Sequence, residues 1–377
     1  MRYIANKMLR RHFLPALTTA AAPVVTQAAT PAPNSADAFY DLRQVHDLRL
    51  EVDRADWQKL RDNFRDNKWY PGRVEWNGIT ADTKLRSRGL GSRNPAKPGL
   101  KVSFAKKGAT PFLDLKSFSL INFFQDPTMV RDYLAYALFE EAGVPAPRHT
   151  HTRLFINGEY WGLYGISEPI DSRFLASRFG EKEGDLFEYK WTWEYRWEAY
   201  SQDPAQFVPD PFEPKNKNAD PAAIADWISV MNNTPDDGWS TAISRLMDPA
   251  RFLTYLAVEN FYDEHDGILG TWGVNNFYLY RSARDRRLTF IPWDRNSSFE
   301  HPERPIFQDA YRNILVRRLL SRGEFERHYR AELARVAELA GGAGGWLDTT
   351  LNRRLNEIRS SMDGDPKQPY RRWDMDE

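Results

Sequence analysis

The chain has 377 residues, 52 basic and 52 acidic side chains, and no cysteine. That length holds one large two-lobed domain or two ordinary ones, with a sizeable core. Zero net charge gives no global attraction to nucleic acid or to an anionic membrane. The missing cysteines exclude disulfide frameworks, thiolate zinc sites and cysteine nucleophiles. Aromatic side chains make up 14% of the chain, 13 of them Trp, which argues for a packed globular protein.

Residues 1–36 read as an export signal and linker. Arg2, Lys7, Arg10 and Arg11 form a basic start, 13–25 are mildly apolar, and small residues follow at Ala28 and Ala29. Arg10-Arg11-His12-Phe13-Leu14 resembles the twin-arginine type; an ordinary secretory signal is the alternative. Either implies a periplasmic or extracellular protein. No later run approaches the ~20 apolar residues of a spanning helix, so a transmembrane segment is not expected in the mature chain.

Residues 37–166 read as a β-rich lobe. Residues 45–52 alternate as a strand, and Asp53 is placed to cap a short helix. Asn77-Gly78 turns a hairpin, 100–104 and 117–121 are further strands, and Asn157-Gly158 turns a second hairpin. Between them, 130–142 is a helix stopped by Gly143 and Pro145. These strands imply a small, mostly antiparallel sheet. Residues 167–377 read as a helical lobe. It carries an irregular Trp-, Tyr- and Pro-rich insertion at about 191–221, a helix at 249–263 and a hairpin from 277–281 and 288–291. Two or more helices follow between about 306 and 362, broken at Gly341–Gly345. The expected architecture is α+β with two lobes and a cleft between them.

Four segments carry candidate chemistry. Residues 84–93 set glycines among cations, which suits phosphate oxygens, although such a turn is most often only a turn. Asp263-Glu264-His265-Asp266 gathers acids after a buried helix. No second histidine stands at ligand spacing from His265, so zinc is not expected; His149 and His151 share a strand face and read as structural. Asn275-Asn276 enters a strand, and Asp294 follows another. An acid, an amide and a strand-end acid, in that order, are what phosphoryl transfer needs. One carboxylate orients the attacking hydroxyl, while an amide and a second carboxylate hold a metal against the phosphates.

These residues resemble the CotH kinase family, the spore-coat H-type atypical protein kinases. The resemblance runs from about Val45 to Leu320. It rests on Arg86-x-Arg88-Gly89-x-x-Ser92 with following lysines, the 126–136 segment, Gly143-Val144-Pro145 and Phe155-Ile156-Asn157-Gly158. Asp266-Gly267, Asn275-Asn276-Phe277-Tyr278-Leu279-Tyr280 and Pro292-Trp293-Asp294 complete it. It implies an atypical protein-kinase-like two-lobed fold, with a β-rich N-lobe and a helical C-lobe, using ATP with Mg2+ or Mn2+. Asp266 matches the catalytic acid and Asp294 the metal-binding acid. Asn276, or Asn275, matches the second metal ligand. Lys101 is the candidate phosphate lysine and Lys97 the runner-up. Arg88 and Ser92 would face the phosphates, and 166–168, ending at Glu168, would lie next to adenine. Two positions depart from the family pattern: the lysine run is Pro95-Ala96-Lys97-Pro98-Gly99-Leu100-Lys101, and Asn296 stands where many relatives have a second acid.

The sequence thus supports an exported ATP-dependent kinase acting on Ser/Thr of a protein. The alternatives are a catalytically weak or inactive pseudokinase with a structural or assembly role in the cell envelope, or transfer of a group other than phosphate.

Overall fold

The computed structural model describes residues 35–104, 112–200, 203–217, 219–301, 303–368 and 370. The leader on which the export reading rests falls almost wholly outside them. The chain divides into two compact units that interleave in sequence. Of the described residues, one takes 35–129, 148–169 and those from 353; the other takes 130–147 and 170–352.

The first unit is a barrel. A short helix, α1 (Ala36–Phe39), precedes β1 (Val45–Val52), and α2 (Arg54–Asp62) follows it. Asp53 caps α2 by accepting the Ala55 and Asp56 amides, as its position in the sequence implies. Strands β2 (Tyr70–Trp76) and β3 (Ile79–Ser87) flank Asn77-Gly78, whose φ angles of 51° and 77° suit the hairpin turn that twists with its strands. β4 (Leu100–Phe104), β5 (Ser117–Ile121), β6 (His149–Ile156) and β7 (Glu159–Ser167) complete the set. The order is β1-β2-β3-β4-β5-β7-β6, closed on itself. Every pairing is antiparallel except β1 with β6, where Val45 lies beside His151 and Leu50 beside Ile156 in parallel. That pair turns the expected antiparallel sheet into a barrel without free edges. Alternate residues fill its interior, and Phe39 packs edge-on against Trp76 and Phe112 at 5.3 and 5.4 Å.

Among the described residues, three buried histidines lie in this unit. His46 Nδ1 accepts from the Trp76 indole at 3.2 Å, His149 Nδ1 pairs with Ser167 Oγ at 2.8 Å, and His151 Nε2 donates to the Met129 carbonyl at 2.6 Å. Burial first, with the Arg354 charge adding to it, pushes His46 down to about 4 and His149 to about 3, and lowers His151 as well. The ordinary value is 6.5. The unfolded chain therefore takes up protons below pH 6.5 that the folded chain refuses, so stability is full above that pH and falls as pH drops. Each histidine costs about 1.4 kcal/mol per pH unit in this window. A melting series from pH 7.5 to 5.0 should show a steady fall in Tm, and a level series would mean that these rings are not held neutral.

The second unit is mostly helical. α3 (Arg131–Glu141) ends at Gly143, whose φ of 82° allows the chain to leave the helix. α4 (Ser172–Phe179) runs from an Asp171 cap to Gly180 in the left-handed region. Strands β8 (Asp185–Tyr189), β9 (Phe212–Pro214), β10 (Phe277–Arg281) and β11 (Leu288–Pro292) form a sheet in the order β11-β10-β8-β9. Helices α5 (Ala222–Asn233), α6 (Asp236–Leu246), α7 (Pro249–Phe261), α8 (Ile314–Leu320) and α9 (Gly323–Ala340) belong to this unit, and α10 (Trp346–Asp363), after the glycine break, spans the sequence boundary between the units at 352. The insertion is only partly irregular. Its Trp197, Phe207 and Phe212 are fully buried in the core of this unit, while Trp191 and Trp193 are exposed. Among the described residues no helix is long and apolar enough to cross a membrane.

Candidate active site

Three predicted residues converge in the helical unit, and the β10–β11 hairpin brings them together. Its register sets Phe277 opposite Pro292, so Asn276 and Trp293 continue the ladder, with the Trp293 amide donating to the Asn276 carbonyl at 3.0 Å. Asp294 is the next residue. From the other side, α7 ends at Phe261 and its turn delivers Asp266. Both Asn275 and Asn276 donate their side-chain amides to Asp266 Oδ2, at 3.1 and 2.9 Å. The sequence left these two asparagines as alternatives; both touch the acid. Asp263, Asn276 and Asp294 all adopt positive φ, between 52° and 60°. Asp and Asn tolerate that conformation better than other L-residues, and such backbone concentrates at functional sites.

Asp266 is the most perturbed acid of the cluster with a value in the working range. Burial pushes it up, the two asparagine bonds pull it down, and the nearby Asp294 charge pushes it up again, leaving it at about 6. Its second oxygen, Oδ1, is buried without a hydrogen-bond partner. An acceptor left open in this way is unusual, and it is suited to receive a hydroxyl proton. Asp294 donates its backbone amide to the Tyr136 hydroxyl at 2.8 Å, and its Oδ1 accepts from Asn296 Nδ2 at 3.1 Å. Carboxylate and amide oxygens are the donors that Mg2+ and Mn2+ prefer. The Asp294 carboxylate and the Asn276 side-chain oxygen are donors of that chemistry. Asn296 stands beside them but adds no negative charge.

The other predicted residues belong to the barrel unit. Arg88 is half-buried, and its amide donates to the Gly99 carbonyl at 2.9 Å. Gly89, at φ 106°, leaves room for the Ser92 hydroxyl where a Cβ would sit, and the Ser92 carbonyl accepts from Asn122 at 2.9 Å. Lys101 stands on β4 between Arg86 of β3 and Ser119 of β5. Lys97 is 2% exposed, with Nζ 2.6 Å from Asp365 Oδ2. Glu168 is equally buried and grips the Arg148 guanidinium through both oxygens, at 2.8 and 3.1 Å. Neither side chain is open to a nucleotide in this arrangement, so what the 166–168 segment offers is main chain.

No local signal announces the residue that ties the acid cluster together. Arg295 is fully buried behind Asp294. Its Nη2 donates to the Asn276 carbonyl at 2.7 Å and to the Tyr255 hydroxyl, and its Nη1 lies 2.7 Å from Glu259 Oε1. A lone arginine after a strand gives no hint of burial; the available signal was Glu259, an acid on the apolar face of a helix. His265, Glu300 and His301 also come close enough to share an ion, a pairing hidden by their sequence distance. Both His265 nitrogens are already bonded, to Asp263 and Thr271 at 2.9 Å, and Glu300 pairs with Arg131.

An acid–amide–acid cluster thus stands at the open end of a hairpin in an α+β protein. The family model described as "CotH kinase protein" matches residues 85–340, more than half the chain, and the chain belongs to the CotH kinase family. It is similar to the inner spore coat protein H of Bacillus subtilis (strain 168), with 25% identity over 310 residues, covering 77% of this chain and 80% of that protein. Among solved structures it matches the Helicobacter pylori proinflammatory kinase CtkA at a TM-score of 0.29 and 8% identity, covering 70% of this chain and 92% of that one. At that score the likeness says nothing about the site.

Proposed function

We propose that this protein is an exported kinase that transfers the γ-phosphoryl group of ATP to a serine or threonine hydroxyl of a protein. The observation that carries the reading is the buried, unpartnered Oδ1 of Asp266, set beside Asp294 and aligned by two asparagines. Asp266 takes the proton of the acceptor hydroxyl as its oxygen bonds to the γ-phosphorus and the bond to the ADP oxygen breaks. Asp294 and Asn276 would hold a divalent ion, which when bound would supply charge neutralisation at the phosphates. Arg88, Ser92 and Lys101 are the proposed phosphate contacts. The basic and apolar leader supports export.

Labelled ATP, Mg2+ or Mn2+ and a cell-envelope extract test the reading. Wild type should label the extract, and Asp266→Ala and Asp294→Ala should label it about 10²–10⁴-fold less. Equal labelling by the variants would remove both residues from the chemistry. Asn296 favours a second reading, a weak or inactive pseudokinase, because it leaves the metal site one charge poorer than an acid would. Nucleotide at 100 times its dissociation constant stabilises a fold by about 2.7 kcal/mol. A Tm shift with ATP and metal but no labelling would select the pseudokinase.

A further inference from the structure

We propose that Arg295 is the positioning residue of this site, setting the gap between the acid that takes the proton and the acid that holds the metal. The inference rests on the kinase reading above and deepens it. Arg295 directly follows Asp294, and its own amide donates to Asp132 Oδ1 at 2.6 Å, anchoring the strand end to α3. One side-chain nitrogen grips the Asn276 carbonyl, so Arg295 holds Asn276 by its side chain and adjoins Asp294 through the chain. The other nitrogen lies 2.7 Å from Glu259 and 3.7 Å from Glu264.

Those two acids reach the catalytic loop on either side of Gly267. Glu264 Oε1 accepts the Asp266 amide at 3.0 Å, and Glu259 Oε2 accepts the Ile268 amide at 3.2 Å. The approach is close: a Cβ on Gly267 would lie 2.8 Å from Glu259 Oε1 and from Glu264 Cγ. The loop carrying Asp266, the start of β10 and the end of β11 therefore share a single buried cation. Arginine suits this role because its planar fork addresses several acceptors at fixed angles, which a lysine ammonium cannot. Both acids and Tyr255 are buried with it, so water cannot replace the lost bonds.

The test uses the full chain carrying Arg295→Lys, with Glu264→Gln as a second variant that keeps an acceptor for the Asp266 amide but replaces the carboxyl group next to Arg295 by an amide. Two readouts are needed: hydrogen exchange of the 262–270 segment in metal-free protein, and kcat and KM for ATP. Arg295→Lys should melt cooperatively and exchange faster across 262–270, with α3 amides unchanged. Its kcat should fall about 100-fold, the scale of a small misplacement of reacting groups, at nearly constant KM. Glu264→Gln should show the same pattern more weakly. If either folded variant keeps wild-type exchange and wild-type kcat, the proposal is overturned. Where Arg295→Lys does not fold, Glu264→Gln decides alone. Where wild type itself transfers no phosphate, the kinase reading fails separately, and exchange across 262–270 still decides the role of Arg295.

Discussion

Lys97→Met should cost the protein about 3–5 kcal/mol, the penalty for leaving one partner of a buried ion pair alone. Its Nζ and Asp365 Oδ2 are 2.6 Å apart at 2% and 0% side-chain exposure. Burial drags the lysine pKa down and Asp365 pulls it back up. Asp365 does more than balance charge. It also accepts the Leu163 amide of β7 at 2.9 Å and the Lys367 amide at 2.8 Å, and it lies against Gly162, where a Cβ would collide with its carboxylate. With Lys97 gone, the carboxylate keeps its amide donors but loses its counter-charge. Urea unfolding should show a lower midpoint with an unchanged slope. A Lys97→Met/Asp365→Asn double variant should recover part of the loss, because no buried charge remains and the asparagine oxygen still accepts the Leu163 amide. The opposite pattern would be informative: unchanged stability with a raised KM for ATP would return Lys97 to the phosphates.

The same residue shows where sequence reading stops. Lys97 and Asp365 are 268 positions apart, and nothing local to either announces the other. Glu168 differs: its cation, Arg148, stands beside it just outside the paired ends of the β6–β7 hairpin, so their meeting follows from register. Closure of the barrel, by contrast, was illegible. β1 and β6 each carry an ordinary alternating pattern, and their parallel pairing joins strands about a hundred residues apart. What was legible is what local geometry determines. Asn77-Gly78 and Asn157-Gly158 form the turns they spell, Gly143 ends its helix, and Asp53 caps one. The acid cluster was legible for a related reason. Asn276 and Asp294 stand just outside the paired ends of one hairpin, so once β10 and β11 are recognised their meeting follows from register. Arg295 was not legible, because burial of a charge depends on acids contributed by the α7 end and its turn.

Asp266→Asn should abolish phosphotransfer and make the protein more stable. The carboxylate has a pKa of about 6 in the folded, metal-free protein against an ordinary 3.8. A raised value means that the folded state favours the protonated acid. The favourable contribution is complete below pH 3.8 and disappears as pH rises through 6, so at pH 8 the ionised group works against the fold. Two units correspond to at most about 3 kcal/mol, less after solvent screening. An asparagine carries no charge to desolvate or to repel Asp294, and it still presents an oxygen to Asn275 and Asn276. Metal-free Asp266→Asn should therefore melt several degrees above wild type at pH 8, and the gap should close as pH approaches 4. Labelling should drop about 10³-fold, since the amide cannot accept the hydroxyl proton. A variant that melts lower than wild type at pH 8 would show that the asparagine bonds, not repulsion, dominate this cluster. A variant that gains stability and keeps activity would move the proton acceptor elsewhere.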